Sequence, residues 1–231
     1  MTRLMVVGAH AGDAEVTCGG LIAKYSKQGF KPVIVHMTLG EKGHPRLSAE
    51  EYAVQKRMEA ERAAKALGAK PVYLPYEDGR IPVNDEVKMA LCDLIREYRP
   101  DVLITHWRGS IHKDHRSTYL DVRDAVFYAS LPAFKRKLPP HRVKAVYFAE
   151  NWEDPYGFKP QVYVDIGEEF EVWRRAASMY SFARGETGFP YVEYYTCLFR
   201  LRGIEAGFKY AQALMMPPAQ RRIRVKGLPV S

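Results

Sequence analysis

The sequence predicts an α/β fold: a Rossmann-like, mostly parallel sheet flanked by helices, with an irregular C-terminal extension. Short apolar runs alternate with amphipathic stretches up to about residue 130, as in strands joined by right-handed crossover helices. The 231 residues suffice for one such unit with a full core. We therefore expect a single domain over residues 1–231, with a tail at 217–231 whose composition is compatible with disorder.

The elements follow one another in a regular order. Apolar runs predict buried strands at 4–7, 32–38, 72–74 and 101–105. Helical periodicity predicts helices at 14–27, 48–67, 87–98 and 116–129, and Ser48 with Glu51 forms a capping-box pattern at the start of the second. Farther along, the pattern predicts two more strands, at 143–149 and 162–166, and a helix at 168–180. The Tyr- and Val-rich stretch 191–201 is consistent with either helix or strand.

Charge, apolar runs and cysteine content narrow the partners and the compartment that we expect for this protein. The formal net charge is +8, and basic residues concentrate in 135–137 and 221–226. Neither run is interleaved with aromatic residues, so we interpret both as solvated surface and expect no nucleic-acid partner. No apolar run approaches the roughly 18 residues of a membrane span, and we expect neither a membrane partner nor a signal peptide. The three cysteines are scattered and odd in number, which argues against a disulfide framework and favours a cytoplasmic protein.

Two polar clusters follow predicted strands. His10 and Asp13 lie on the turn between the first strand and the first helix, and His112-Lys113-Asp114-His115 follows the fourth strand. Ligands of parallel sheets bind at the carboxyl ends of the strands, so the two clusters can meet across about a hundred residues of sequence. His10 and Asp13 can converge on one metal ion, with a third ligand from the second cluster. The alternative is a plain α/β domain in which these histidines are structural.

These clusters resemble the LmbE-like (PIG-L) family of zinc-dependent N-acetylglucosaminyl deacetylases. That family opens with His-Pro-Asp-Asp-Ala-Glu after a strand, which here is the stretch from His10 to Glu15, and its later His-Pro-Asp-His motif here is 112–115. The smaller motifs of the family are matched in order by Gly19-Gly20, Gly40-Glu41, Leu67-Gly68, Asp78-Gly79 and the stretch 210–214. The match covers nearly the whole chain.

The resemblance implies a role for each matching residue. It implies Zn²⁺ held by His10, Asp13 and His115, and two histidines with one carboxylate is also a catalytic zinc pattern on chemical grounds. His112 corresponds to the histidine that assists catalysis, and Asp114 to a carboxylate that orients it. The substrate-binding positions correspond to Glu41, Lys56 with the adjacent Arg57, and Asp78. A homo-oligomer is expected only by analogy with family members.

One departure from the family concerns the general base. The family's first Asp, which takes a proton from the zinc-bound water, is Gly12 here. The resemblance implies a zinc-dependent hydrolase that removes an acetyl or related acyl group from an N-acylated sugar, a small molecule. Gly12 predicts weak activity unless Glu41, Asp114 or His112 supplies the base. Glycine leaves the water without its usual acceptor and is also expected to leave open space beside the metal. Because Gly12→Asp restores the acceptor, it is expected to raise the rate about a hundredfold or more. The alternative is a non-catalytic or differently reacting relative that binds metal and ligand.

Overall fold

Seven strands form one sheet in this computed structural model, which describes residues 2–218. The strands are β1 (Leu4–His10), β2 (Val33–Thr38), β3 (Lys70–Tyr73), β4 (Val102–Thr105), β5 (Ala145–Ala149), β6 (Val162–Asp165) and β7 (Ala211–Met215). Their order is β3-β2-β1-β4-β5-β7-β6. The first five are parallel, and β7 runs antiparallel to both of its neighbours. The predicted mostly parallel α/β sheet is confirmed.

Six helices cover the two faces of the sheet. They are α1 (Asp13–Ser26), α2 (Ala49–Ala66), α3 (Asp85–Tyr98), α4 (Lys113–Ser130), α5 (Phe170–Ala177) and α6 (Tyr191–Ala206). Side chains alternate along β1, so Leu4 and Val6 pack in the core that contains α1, α2, α5 and α6. Met5 and Val7 pack in the opposite core, under α3 and α4. Burial on both faces explains why the parallel strands read as continuous apolar runs.

The C-terminal part is more regular than the sequence suggested. The segment expected to be an irregular extension contributes β6, β7, α5 and α6, and β7 is inserted between β5 and β6. The stretch 191–201, for which helix and strand were both open, lies within α6. Its Tyr and Val residues pack against other elements, and tertiary contacts outweigh their preference for strands.

Two further predictions concern the C-terminal tail and membrane-spanning segments. Of the expected disordered tail at 217–231, residues 219–231 lie outside the described residues. Within 2–218, no helix combines the length and apolar character needed to cross a membrane.

Candidate metal and active site

The turn after β1 holds the first two predicted ligands. His10 is the last residue of β1 and Asp13 the first of α1. The Asp13 carboxylate accepts a hydrogen bond from the backbone N–H of His10 at 2.8 Å, and its Oδ2 lies 3.3 Å from His10 Nδ1. The tight turn therefore presents a ring nitrogen and a carboxylate oxygen side by side at the edge of the sheet.

His115, on the first turn of α4, has the environment of a metal ligand. It is fully buried, and its Nδ1 lies 2.9 Å from Asp154 Oδ1. Its Nε2 is buried without a hydrogen-bond partner among the described residues and lies 3.6 Å from Asp13 Oδ2. Burial, and then the neighbouring His106, lower its pKa to about 4, so the ring is neutral. A carboxylate that fixes Nδ1 and leaves a neutral Nε2 free is the usual support of a metal-binding histidine.

Two of the three distances between the predicted ligand atoms match those around a tetrahedral ion. Zinc bonds of about 2.1 Å at tetrahedral angles place neighbouring ligand atoms about 3.4 Å apart. The distances from Asp13 Oδ2 to His10 Nδ1 and to His115 Nε2 are 3.3 and 3.6 Å. The unpartnered Nε2 and these two spacings belong to residues that could hold a metal ion.

Three compact groups of possible ligands share residues with the predicted set. Within the described part of the chain, three His and carboxylate triads could each hold an ion, and none contains all three predicted ligands. They are His10-His112-His115, Asp13-His106-His115 and His10-Asp78-Asp114. The three predicted ligands thus do not form a compact triad by themselves, and each of them belongs to one or more of these overlapping groups.

His106 belongs to this cluster and was missed by the sequence analysis. It follows β4 directly, stacks on His115 with ring centroids 3.8 Å apart, and places Nδ1 3.1 Å from Asp154 Oδ2. Asp154, fully buried, therefore bridges two histidines, and its hydrogen bonds to both rings with the positive charge of His106 hold the pKa of its carboxyl below the usual range despite burial. The signal was available, because His106 follows a predicted strand as His10 does.

Asp114 contacts a different histidine from the one expected. The resemblance implied that it orients His112, but its carboxylate lies 3.5 Å from His10 Nε2 and accepts hydrogen bonds from the backbone N–H groups of Gly79 and Ile81. The reason is that Asp114 points from the first turn of α4 toward the loop after β3. The His112 ring accepts a hydrogen bond at Nδ1 from the Asp114 backbone N–H.

The four predicted substrate residues divide between two cavities. Asp78 and Lys56 line a pocket of about 190 Å³ beside the histidines, whereas Glu41 and Arg57 line a neighbouring groove of about 480 Å³. Asp78 Oδ1 lies 3.2 Å from His10 Nε2, and Glu41 accepts a hydrogen bond from the Asp78 backbone N–H. Arg57 stacks on Tyr73 and is half exposed.

Lys56 is a buried cation at the pocket wall. Its Nζ donates to the carbonyl oxygen of Ala11 and lies 4.1 Å from the centre of the Phe182 ring. Burial lowers its pKa to about 8, although nearby carboxylates, Asp13 first, oppose the shift. Of the adjacent pair Lys56 and Arg57, only Lys56 lines the histidine pocket.

The space expected beside Gly12 is filled. A Cβ built on Gly12 would stand 2.5 Å from Cζ of Phe182, and Gly12 has φ +110°, where side chains are strained. The prediction that glycine opens room beside the metal is therefore wrong, whereas the gain in rate from Gly12→Asp stays a prediction and requires the Phe182 ring to shift. Phe182 lies far from residue 12 in sequence, and only tertiary packing brings the two together.

Glu153 is a second residue that the sequence analysis missed. It lines the pocket, and its Oε2 lies 3.7 Å from His115 Nε2. Burial, and then the nearby charge of Asp13, raise the pKa of its carboxyl to about 7. The loop after β5 thus supplies two consecutive acids, one buried between histidines and one facing the pocket.

Comparison with known proteins identifies relatives over most of the chain. The family model described as PIG-L, GlcNAc-PI de-N-acetylase, matches residues 5–126. A diacetylchitobiose deacetylase from Thermococcus kodakarensis is 29% identical over 94% of this chain and 83% of its own. A 4-oxalmesaconate hydratase from Pseudomonas putida is 24% identical over 87% of this chain and 80% of its own.

A solved structure shares the same fold. The crystal structure of a conserved protein from Thermus thermophilus aligns over the whole of both chains with a TM-score of 0.85 and 26% sequence identity. The whole described sheet, including β6 and β7, therefore belongs to an architecture already seen in crystals.

Proposed function

This chain belongs to the PIG-L family, and on that premise we propose that it is a metal-dependent amide hydrolase that removes an acetyl or related acyl group from an N-acylated sugar. The observation that carries the proposal is the unpartnered Nε2 of His115, held by Asp154 and facing Asp13. The deacetylase from Thermococcus kodakarensis supports the substrate class, because its alignment covers most of both chains.

In this proposal His10, Asp13 and His115 hold the ion, with zinc favoured by two nitrogens and one oxygen. These residues would hold a zinc ion that would polarise the scissile carbonyl and lower the pKa of a bound water to about 7. The buried His115 ring stays neutral near pH 7, and the neutral ring is the form that binds metal.

His112 supplies a hydrogen-bond donor to the acyl group. Burial lowers the pKa of its ring below the ordinary value, so the ring is neutral at neutral pH. Because its Nδ1 accepts from the Asp114 backbone N–H, its proton resides on Nε2. That N–H donates to the carbonyl oxygen of the substrate as negative charge develops on it.

Lys56 and Asp78 bind the sugar. The buried ammonium of Lys56 donates to hydroxyl oxygens, and the Asp78 carboxylate accepts from hydroxyl groups. A pocket of about 190 Å³ lies below the usual range for a drug-sized ligand, so the acyl group and one sugar ring enter it and the rest of the substrate stays outside.

The test is an assay of chelator-stripped protein reloaded with Zn²⁺. Diacetylchitobiose and simple N-acetylglucosamine glycosides are incubated with it, and free amine and acetate are quantified. We expect the reloaded native protein to release amine and acetate in equal amounts, and the stripped protein to release neither. The His115→Ala variant should release no product, whereas the control variant His44→Ala should keep the native activity. Equal metal content with no product across the panel would contradict the hydrolase.

A second candidate is addition of water to a carbon–carbon double bond. It is favoured by the likeness to 4-oxalmesaconate hydratase and by Gly12, which departs from the deacetylase motif. Zinc-loaded protein is therefore also incubated with unsaturated dicarboxylic acids, and loss of their ultraviolet absorbance is followed. Turnover there, with no amine from the glycosides, would favour the hydratase.

A further inference from the structure

Resting on the proposed hydrolase, we propose that Glu153 is the catalytic carboxylate that orients and deprotonates the attacking water, in place of a side chain at residue 12. The residue-12 position cannot serve this role, because glycine has no acceptor and Phe182 fills the space next to it. The base must therefore come from another element that reaches the same ligand cluster.

Glu153 reaches that cluster directly. Its Oε2 lies 3.7 Å from Nε2 of His115, the buried nitrogen that has no hydrogen-bond partner in the described chain. This separation is too long for a hydrogen bond between the two atoms. It leaves the carboxylate beside the ligand atoms, within reach of a water that enters the pocket.

Two loops fix the backbone that carries Glu153. Its carbonyl oxygen accepts from the Ile111 backbone N–H at 2.8 Å and from Ser110 Oγ at 2.9 Å. Gly109 packs so closely that a Cβ there would stand 1.8 Å from the carbonyl oxygen of Tyr156. Because the β4–α4 loop and the β5–β6 loop are joined in this way, the carboxylate is positioned by rigid backbone.

The other pocket carboxylates are already engaged. Three acids line the pocket: Asp13, Asp78 and Glu153. Asp13 accepts from the His10 backbone N–H, and Asp78 accepts from the Lys42 backbone N–H. Across residues 2–218, no hydrogen bond engages the carboxylate of Glu153, so it is the acid free to accept from water.

The proposed step balances as an amide hydrolysis. The water oxygen forms a bond to the acyl carbon while its proton passes to Glu153. The carbon–nitrogen bond then breaks, and Glu153 returns the proton to the leaving nitrogen. The products are a free amine and a carboxylic acid, and Glu153 is regenerated. General base catalysis of this kind contributes about 10²- to 10⁴-fold in rate.

Glu153→Gln tests the role, since glutamine keeps the size and the acceptor oxygen but cannot take a proton. Glu168→Gln, at an exposed position before α5, is the matched control. We expect kcat for Glu153→Gln to fall about 10²- to 10⁴-fold with unchanged zinc content, and Glu168→Gln to match the native protein. Activity within threefold of native would overturn the proposal, as would loss of zinc, because Glu153 would then be a ligand.

A second readout does not depend on turnover. Acetohydroxamic acid loses a proton when it chelates zinc, so a nearby carboxylate that accepts this proton strengthens binding. We expect zinc-loaded Glu153→Gln to bind this probe at least about tenfold more weakly than native protein or Glu168→Gln. Equal affinity would refute the base role, whereas a native protein that holds no zinc would refute the proposed function itself.

Discussion

Gly12 is predicted to be intolerant of any side chain. A Cβ on Gly12 meets Cζ of Phe182 at 2.5 Å and is strained by φ +110°. Backbone strain of this type costs about 1–3 kcal/mol, and overpacking adds about 1–3 kcal/mol. Gly12→Ala is therefore expected to lose about 2–6 kcal/mol of unfolding free energy, measured by urea denaturation followed by circular dichroism.

The chain offers a matched control for the strain alone. Gly188 has φ +115°, but a Cβ there meets nothing within 4 Å. Gly188→Ala should therefore lose only the strain, about 1–3 kcal/mol. Phe182→Leu should recover part of the additional loss when combined with Gly12→Ala, in a double-mutant cycle. The reasoning is refuted if Gly12→Ala is no less stable than Gly188→Ala, or if Phe182→Leu leaves the difference unchanged.

Three further predictions address the cluster and its surroundings. Asp154→Asn removes the carboxylate that fixes two histidines and should weaken zinc affinity about 10- to 100-fold in a chelator competition; unchanged affinity would contradict it. His115→Ala should lose most of its zinc while keeping its circular dichroism spectrum, and His44→Ala should retain zinc, as measured by inductively coupled plasma mass spectrometry. Burial lowers the pKa of Lys56 to about 8, below its unfolded value. The unfolded state then binds the extra proton between about pH 8 and 10.5, so native stability should rise with pH by about 3 kcal/mol relative to Lys56→Met across that window. A pH-independent difference between the two proteins would count against a buried, charged Lys56.

The sequence was sufficient for the first six strands and for the residues at the ends of the first of them, but it did not predict β7. Apolar runs and the turn-forming residues that bound them predicted β1 and β4. The rule that ligands bind at the carboxyl ends of parallel strands then predicted that His10 and His115 lie close together. The same rule, applied to β5, could have indicated the loop that holds Glu153 and Asp154. It did not do so because that loop matched none of the motifs by which the resemblance was traced.

Contacts between distant segments could not be predicted from local pattern. Phe182 lies on a short 3₁₀ turn in the C-terminal half, and nothing in its own neighbourhood indicates that it packs against Gly12. The histidine that the Asp114 carboxylate contacts also could not be predicted. Whether it is His10 or His112 depends on where the loop after β3 meets α4. Such choices are set by tertiary packing, which single-sequence propensities do not describe.

The position of the bound ion decides whether His10, Asp13 and His115 are the metal ligands. A crystal of the protein soaked in Zn²⁺ and measured at the zinc absorption edge locates the ion by anomalous scattering. The account predicts one peak about 2.0–2.2 Å from a ring nitrogen of His10, a carboxylate oxygen of Asp13 and Nε2 of His115. An ion held instead by His10, Asp78 and Asp114, or no peak in this cluster, would contradict it.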